Sequence, residues 1–204
     1  MSILAYNGAA LCAMAGDGCV AIGSDTRFGI EQQTLATDYG KVYRINDRVF
    51  VGLGGLLSDA QTLYQRILFR TNLYKLREER DMKPSTLTHM LSSVLYEKRF
   101  GPYFVEPLVA GLEADGTPYL ACMDLLGCPE CADDFVVGGT CAESLHGACE
   151  SMYRPGMGPE ELFETVSQCL LNSQDRDCLS GWGAVVHVIT KDKVITRTLK
   201  TRQD

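Results

Sequence analysis

The chain has 204 residues, 46% hydrophobic and 22% charged, a composition that supports a sizeable core and excludes a disordered chain. Its formal net charge of −7 excludes a broad basic face, and so nucleic acid or an anionic lipid surface as partner. No run approaches the roughly 20 apolar residues that a bilayer-spanning helix requires.

Residues 9–16 and 18–25, parted by "GDG", predict a β-hairpin. Shorter strands are expected at 32–36, 41–45 and 48–53, the last two split by "IND". "GLGGL" at 52–56 is expected to break the chain, with Ser58 as a candidate helix cap. From 59 to 79, Leu63, Ile67, Leu68 and Leu76 recur at helical spacing. A second helix is expected from Ser85, behind Pro84, to about Arg99, where "FGP" stops it. Strands follow at 104–112, 118–124 and 133–138, then helices at 141–153 and 159–173 parted by "RPGMGP". The last strands are expected at 182–190 and 193–199, turning at "KDK". Helices arriving in pairs between antiparallel blocks do not fit a βαβ alternation. They predict one α+β domain over 1–204, with two sheets in the middle and helix pairs outside.

In "GCVAIGSDTRFG" at 18–29 an apolar strand ends in a carboxylate, Asp25. A buried charge is costly unless paired, so Asp25 needs a partner. Thr26 and Ser24 beside it have no sequence cue for an activating base and read as strand-end packing. Nine cysteines is an odd count, and no Lys or Arg precedes Arg27 to mark a signal peptide. Reduced thiols in the cytoplasm and nucleus are therefore expected. Cys128 and Cys131 form a lone C-x-x-C that reads as a loop with a packing role, since zinc would need a second ligand pair. His187 in "AVVHVIT" reads as a hydrogen-bonded core imidazole, and "KLREER" at 75–80 as a solvated helix end. No G-x-S-x-G elbow is present, and no G-K-[S/T] follows "GLGGL". No metal or cofactor is expected.

"GSDTRFG" at 23–29, Lys41, "VGLGGLLSDAQ" at 51–61 and "RDCLSGWG" at 176–183 carry a resemblance. Almost end to end, the chain resembles the proteasome beta subunits, of the N-terminal nucleophile hydrolase class. "LYEKRFGPYFVEPLVAGL" at 95–112, "DLLGCP" at 124–129 and "DDFVVGGTCAE" at 133–143 are similar to the beta-3 branch, a non-catalytic one. The resemblance implies a four-layer αββα sandwich. In active members an N-terminal Thr attacks the peptide bond while its own amine moves the proton. A Lys and an Asp tune that site, and backbone N–H groups with a Ser or Gly hold the oxyanion. The matching places here are Ala9 for the nucleophile, behind Gly8, with Asp25, Lys41, Asp177 and Ser180 around it. Gly138 falls where active members offer a serine near the oxyanion.

Alanine has no atom that can attack, so the resemblance implies a vestigial centre in which Asp25 pairs with Lys41 for structural reasons. It implies a place in the beta ring of the 20S core, beside beta-2 and beta-4 neighbours and against the alpha ring, in ubiquitin-dependent protein degradation. It also implies that Asp124 and Cys128 help line the beta-2 neighbour's substrate pocket; the simpler alternative is that Asp124 caps a turn. The competing expectation is an active threonine peptidase or amidase of the same fold.

Overall fold

A computed structural model describes residues 2–203. Every residue of strands β1 (Ala10–Ala15) and β2 (Cys19–Asp25) is buried. Only strands covered on both faces can be, which is why these read as unbroken apolar runs. Alternation still decides which side each residue serves. In β1, Ala10, Cys12 and Met14 face one core, while Leu11, Ala13 and Ala15 face another.

A short ribbon of β3 (Phe28–Ile30) and β4 (Gln33–Ala36) leads to β5 (Val42–Arg44) and β6 (Val49–Gly55). Helices α1 (Leu57–Glu78) and α2 (Pro84–Tyr96) follow, then β7 (Val105–Leu112), β8 (Pro118–Met123), β9 (Pro129–Ala132) and β10 (Phe135–Gly139). Helices α3 (Ala142–Met152) and α4 (Pro159–Gln174) precede β11 (Ala184–Thr190) and β12 (Val194–Leu199). One five-stranded sheet runs β10-β1-β2-β11-β12 and the other β5-β6-β7-β8-β9, with every neighbouring pair antiparallel.

Three apolar cores stack through the sandwich. Leu63 and Ile67 of α1 and Leu87 and Leu91 of α2 pack on Val51, Leu53 and Val109 of the second sheet. Leu11, Val20 and Ile22 meet Phe50, Leu108 and Leu120 between the sheets. Leu145 of α3 and Leu162, Val166 and Leu170 of α4 cover Met14, Ala21 and Val186. The layers are therefore α, β, β, α, and the helices lie within a turn of their expected bounds.

Four local expectations are corrected. "GLGGL" does not break the chain, because β6 runs through Gly55. A Cβ at Gly54 would stand 3.2 Å from a Leu11 methyl, so the glycine makes room for the inter-sheet leucine. Ser58 is not a cap; it lies inside α1, whose N-cap position is Leu56. The C-x-x-C is only half a loop: Cys128 lies in the β8–β9 turn, while Cys131 belongs to β9, which pairs with β8 in register Ala121↔Cys131. Pro129 opens that edge strand, where a missing N–H is tolerated. Finally β3 was not expected, since its hairpin turns at Glu31 (φ 51°) without a glycine or asparagine to announce it.

Candidate functional site

The end of β2 delivers Asp25 to the base of the sandwich, and the start of β5 brings Lys41 against it. Both side chains are fully buried, with Lys41 Nζ 2.6 Å from Asp25 Oδ1. The same carboxylate accepts the backbone N–H of Ala10 at 2.9 Å, of Arg27 at 3.2 Å and of Gly181 at 3.2 Å. Burial lowers the Lys41 pKa below the usual lysine value, and Asp25 works against that shift. A pair this dry behaves as a structural tie between β1, β2, β5 and the 181 turn.

Arg27 is a second buried cation, 1% exposed. Its guanidinium donates to Thr34 Oγ1 at 2.9 Å, Leu179 O at 3.0 Å and Glu31 O at 2.9 Å. It holds the β3–β4 ribbon to the Leu179 loop through neutral acceptors. Sequence reasoning missed it, although it stands two places after Asp25 in the motif singled out.

Residue 9 lies where these elements converge. Asp177 Oδ2 accepts the hydroxyls of Ser180 at 2.6 Å and Thr140 at 2.7 Å, and its Oδ1 accepts the Leu179 N–H at 3.1 Å. Thr140 Oγ1 in turn accepts the N–H of Ala9 at 3.4 Å. The structure thus joins Ala9, Asp177 and Ser180 in one network, with Gly138 outside it. Gly138 pairs with Leu11 in the sheet, and the hydroxyl beside residue 9 comes from Thr140, two places on. The signal for Thr140 was its own hydroxyl, directly after "GG".

Chemically this centre is silent at residue 9. Alanine carries no hydroxyl, and the nitrogen of residue 9 is a peptide nitrogen bonded to Gly8, with no basic lone pair for a proton. The Cys141 thiol reaches Ala9 O at 4.0 Å. Burial first, and Asp177 second, push that thiol up to about 12, so it stays protonated.

Residues ahead of Ala9 lie across the same mouth. Asn7 is 5% exposed; its Nδ2 donates to Gly29 O at 2.9 Å and its Oδ1 accepts the Leu57 N–H at 3.0 Å. Glu31 N donates to Tyr6 O at 2.8 Å, so the leader hydrogen-bonds to the β3–β4 turn. Gly8 sits at φ 72°, and a Cβ there would fall 2.0 Å from Leu179 O. Beside this strap lies a cavity of about 320 Å³ lined by Tyr6, Phe28, Tyr39, Leu57 and Gln61.

Asp124 and Cys128 stand apart from Ala9, exposed in the β8–β9 turn. Asp124 Oδ1 accepts the N–H of Leu126 at 3.0 Å and of Cys128 at 2.8 Å, so the carboxylate caps this turn. His187 is half-buried, with Nδ1 2.8 Å from Thr196 Oγ1.

The layered sandwich and a buried Lys–Asp pair facing the head of β1 define the architecture of the N-terminal nucleophile hydrolases. Comparison narrows that class. The family model described as "Proteasome subunit" matches residues 5–189. The chain is 60% identical to a protein of Dictyostelium discoideum named "Proteasome subunit beta type-3", over the whole of both chains. It is 59% and 55% identical to proteins of the same name from Picea mariana and Drosophila melanogaster, again over the whole of both. The chain belongs to the proteasome subunit family.

Proposed function

We propose that this chain is a non-catalytic, beta-3-type subunit of the 20S proteasome core, a structural member of a peptidase complex. The observation that carries the reading is Ala9. The Asp25–Lys41 tie and the Asp177, Ser180 and Thr140 network gather around a residue with nothing to attack with. Its full-length relatives named "Proteasome subunit beta type-3" support the branch. In this reading the chain completes the beta ring in the cytoplasm and nucleus, between beta-2 and beta-4 neighbours and against the alpha ring. Asp124 and Cys128 then face the beta-2 substrate pocket.

The test is native purification from cells, followed by sizing, N-terminal analysis of this chain and assay of the pure chain on a fluorogenic peptide. The reading expects a particle of several hundred kilodaltons, a chain still carrying "SILAYNGA", and no turnover by the chain alone. A new N-terminal Thr or Ser, or turnover blocked by a threonine-directed inhibitor, would establish an active peptidase instead.

A further inference from the structure

Strands β5 and β11 both leave the Ala9 end and turn at the opposite end of the sandwich. There the 45–48 turn of one sheet and the 191–193 turn of the other flank a cleft of about 230 Å³. Its walls carry Arg44, Arg48, Lys191 and Lys193 against Asp47 and Asp192. Four cations against two carboxylates is a local positive excess on a chain of formal net charge −7. Arg44 is taken by Asp47 at 2.7 Å. Arg48, Lys191 and Lys193 make no ion pair among the described residues.

Both turns are held in place. Thr190 Oγ1 donates to Lys193 O at 2.8 Å and accepts from Lys193 N at 3.2 Å, closing the 191–193 turn on itself. Asn46 Oδ1 accepts the Arg48 N–H at 2.9 Å, while Asn46 Nδ2 donates to Met82 O at 2.9 Å. The backbones that carry the three unpaired cations are therefore fixed before anything binds. Like charges fixed around one cleft repel one another, and an incoming anion relieves that repulsion.

We propose that this cleft docks an acidic segment of another proteasome subunit, whose Asp or Glu side chains pair with Arg48, Lys191 and Lys193. The proposal rests on the assembly reading above. A cleft of about 230 Å³ admits a few side chains. An extended polyanion such as nucleic acid would also meet the net negative charge of the rest of the chain. A short acidic segment feels only the local field, because charges beyond about 8 Å are screened at physiological salt.

Native particles containing this chain, treated with a carbodiimide that joins amines directly to carboxylates, give the direct test by mass spectrometry. Lys191 or Lys193 is expected to be joined to an Asp or Glu of another subunit. Both lysines are expected to react several-fold more slowly with acetic anhydride in the particle than after its dissociation. The triple variant Arg48→Gln/Lys191→Gln/Lys193→Gln should be released at lower salt, with roughly tenfold more free chain at a matched concentration, the sum expected of three exposed pairs. Lysines that acetylate at equal rates in the particle and in the free chain, or that join only Asp47 or Asp192 of their own chain, overturn the docking alone. A chain found in no particle overturns the assembly reading, and the docking falls with it.

Discussion

At the scale of single residues, the centre shows how a charge pair persists without chemistry. Once Asp25 and Lys41 are both fully buried, removing one strands the other, which typically costs about 3–5 kcal/mol. Three backbone N–H groups would still serve Asp25 after Lys41→Met, so the expected loss is about 3 kcal/mol, at the lower end of that range. The shift in urea midpoint measures it, and a loss below about 1 kcal/mol would show that Lys41 is dispensable to the fold. His187 gives a pH-dependent counterpart. Burial holds its imidazole below the ordinary value of 6.5, so the folded state prefers the neutral ring. Below about 6.5 the unfolded chain binds more protons than the folded one, and the slope of stability with pH is positive there. Stability contributed by neutral His187 is therefore full above about 6.5 and is lost as the pH falls below it. His187→Gln should flatten the fall in Tm between pH 7 and pH 5; an unchanged slope would assign the acid sensitivity to other groups.

Among elements, the most consequential contact joins parts of the chain far apart in sequence. Helix α1 begins at Leu57 with no side-chain cap from its own N-cap residue, Leu56. Asn7 supplies the missing acceptor from 50 residues away and ties the leader to Gly29 with its other end. Asn7→Ala removes a cap, about 1 kcal/mol, and also strips Gly29 O of a buried donor, about 1–3 kcal/mol. The expected signature is faster amide exchange at Leu57 with little change in α2. Equal acceleration in both helices would mean general destabilisation instead of a released strap. This contact also marks where sequence legibility stopped. Alternation and helical spacing located the layers, because β1, β2 and β6 are buried on both faces and α1 and α2 on one. Ser58 was a reasonable local cap, yet local rules cannot see an acceptor delivered by tertiary folding. Likewise Asp25 was legible as a buried charge in need of a partner, and Lys41, Asp177 and Ser180 through the family resemblance, whereas Thr140 enters the centre through the pairing of β10 with β1. Arg27 was hidden for another reason: its partners are carbonyls and a hydroxyl, with no carboxylate to mark it.

For the whole molecule, the antiparallel register gives the sandwich two different ends. β8 runs back towards the end of β7 that pairs with Gly55, so the Asp124–Cys128 turn opens at the same end as Ala9. The cationic cleft lies at the other end. Asp124 bears two roles that one substitution can separate. Its Oδ1 caps the turn by accepting two backbone N–H groups, and the amide oxygen of asparagine can accept the same two. Asp124→Asn therefore keeps the turn and removes only the charge, while Asp124→Ala removes both. If the carboxylate faces a neighbour's substrate, the attraction for a basic side chain is that of an exposed ion pair, about 0.2–1 kcal/mol. The effect should then be a several-fold rise in KM for basic substrates at one neighbouring peptidase site, shrinking as salt rises. Assembled particles carrying each variant, assayed with peptides that differ only in charge, decide between the roles. Selective loss in both variants assigns the charge to substrate. A silent asparagine beside an alanine variant that disturbs acidic and basic peptides alike leaves Asp124 as a turn cap and nothing more.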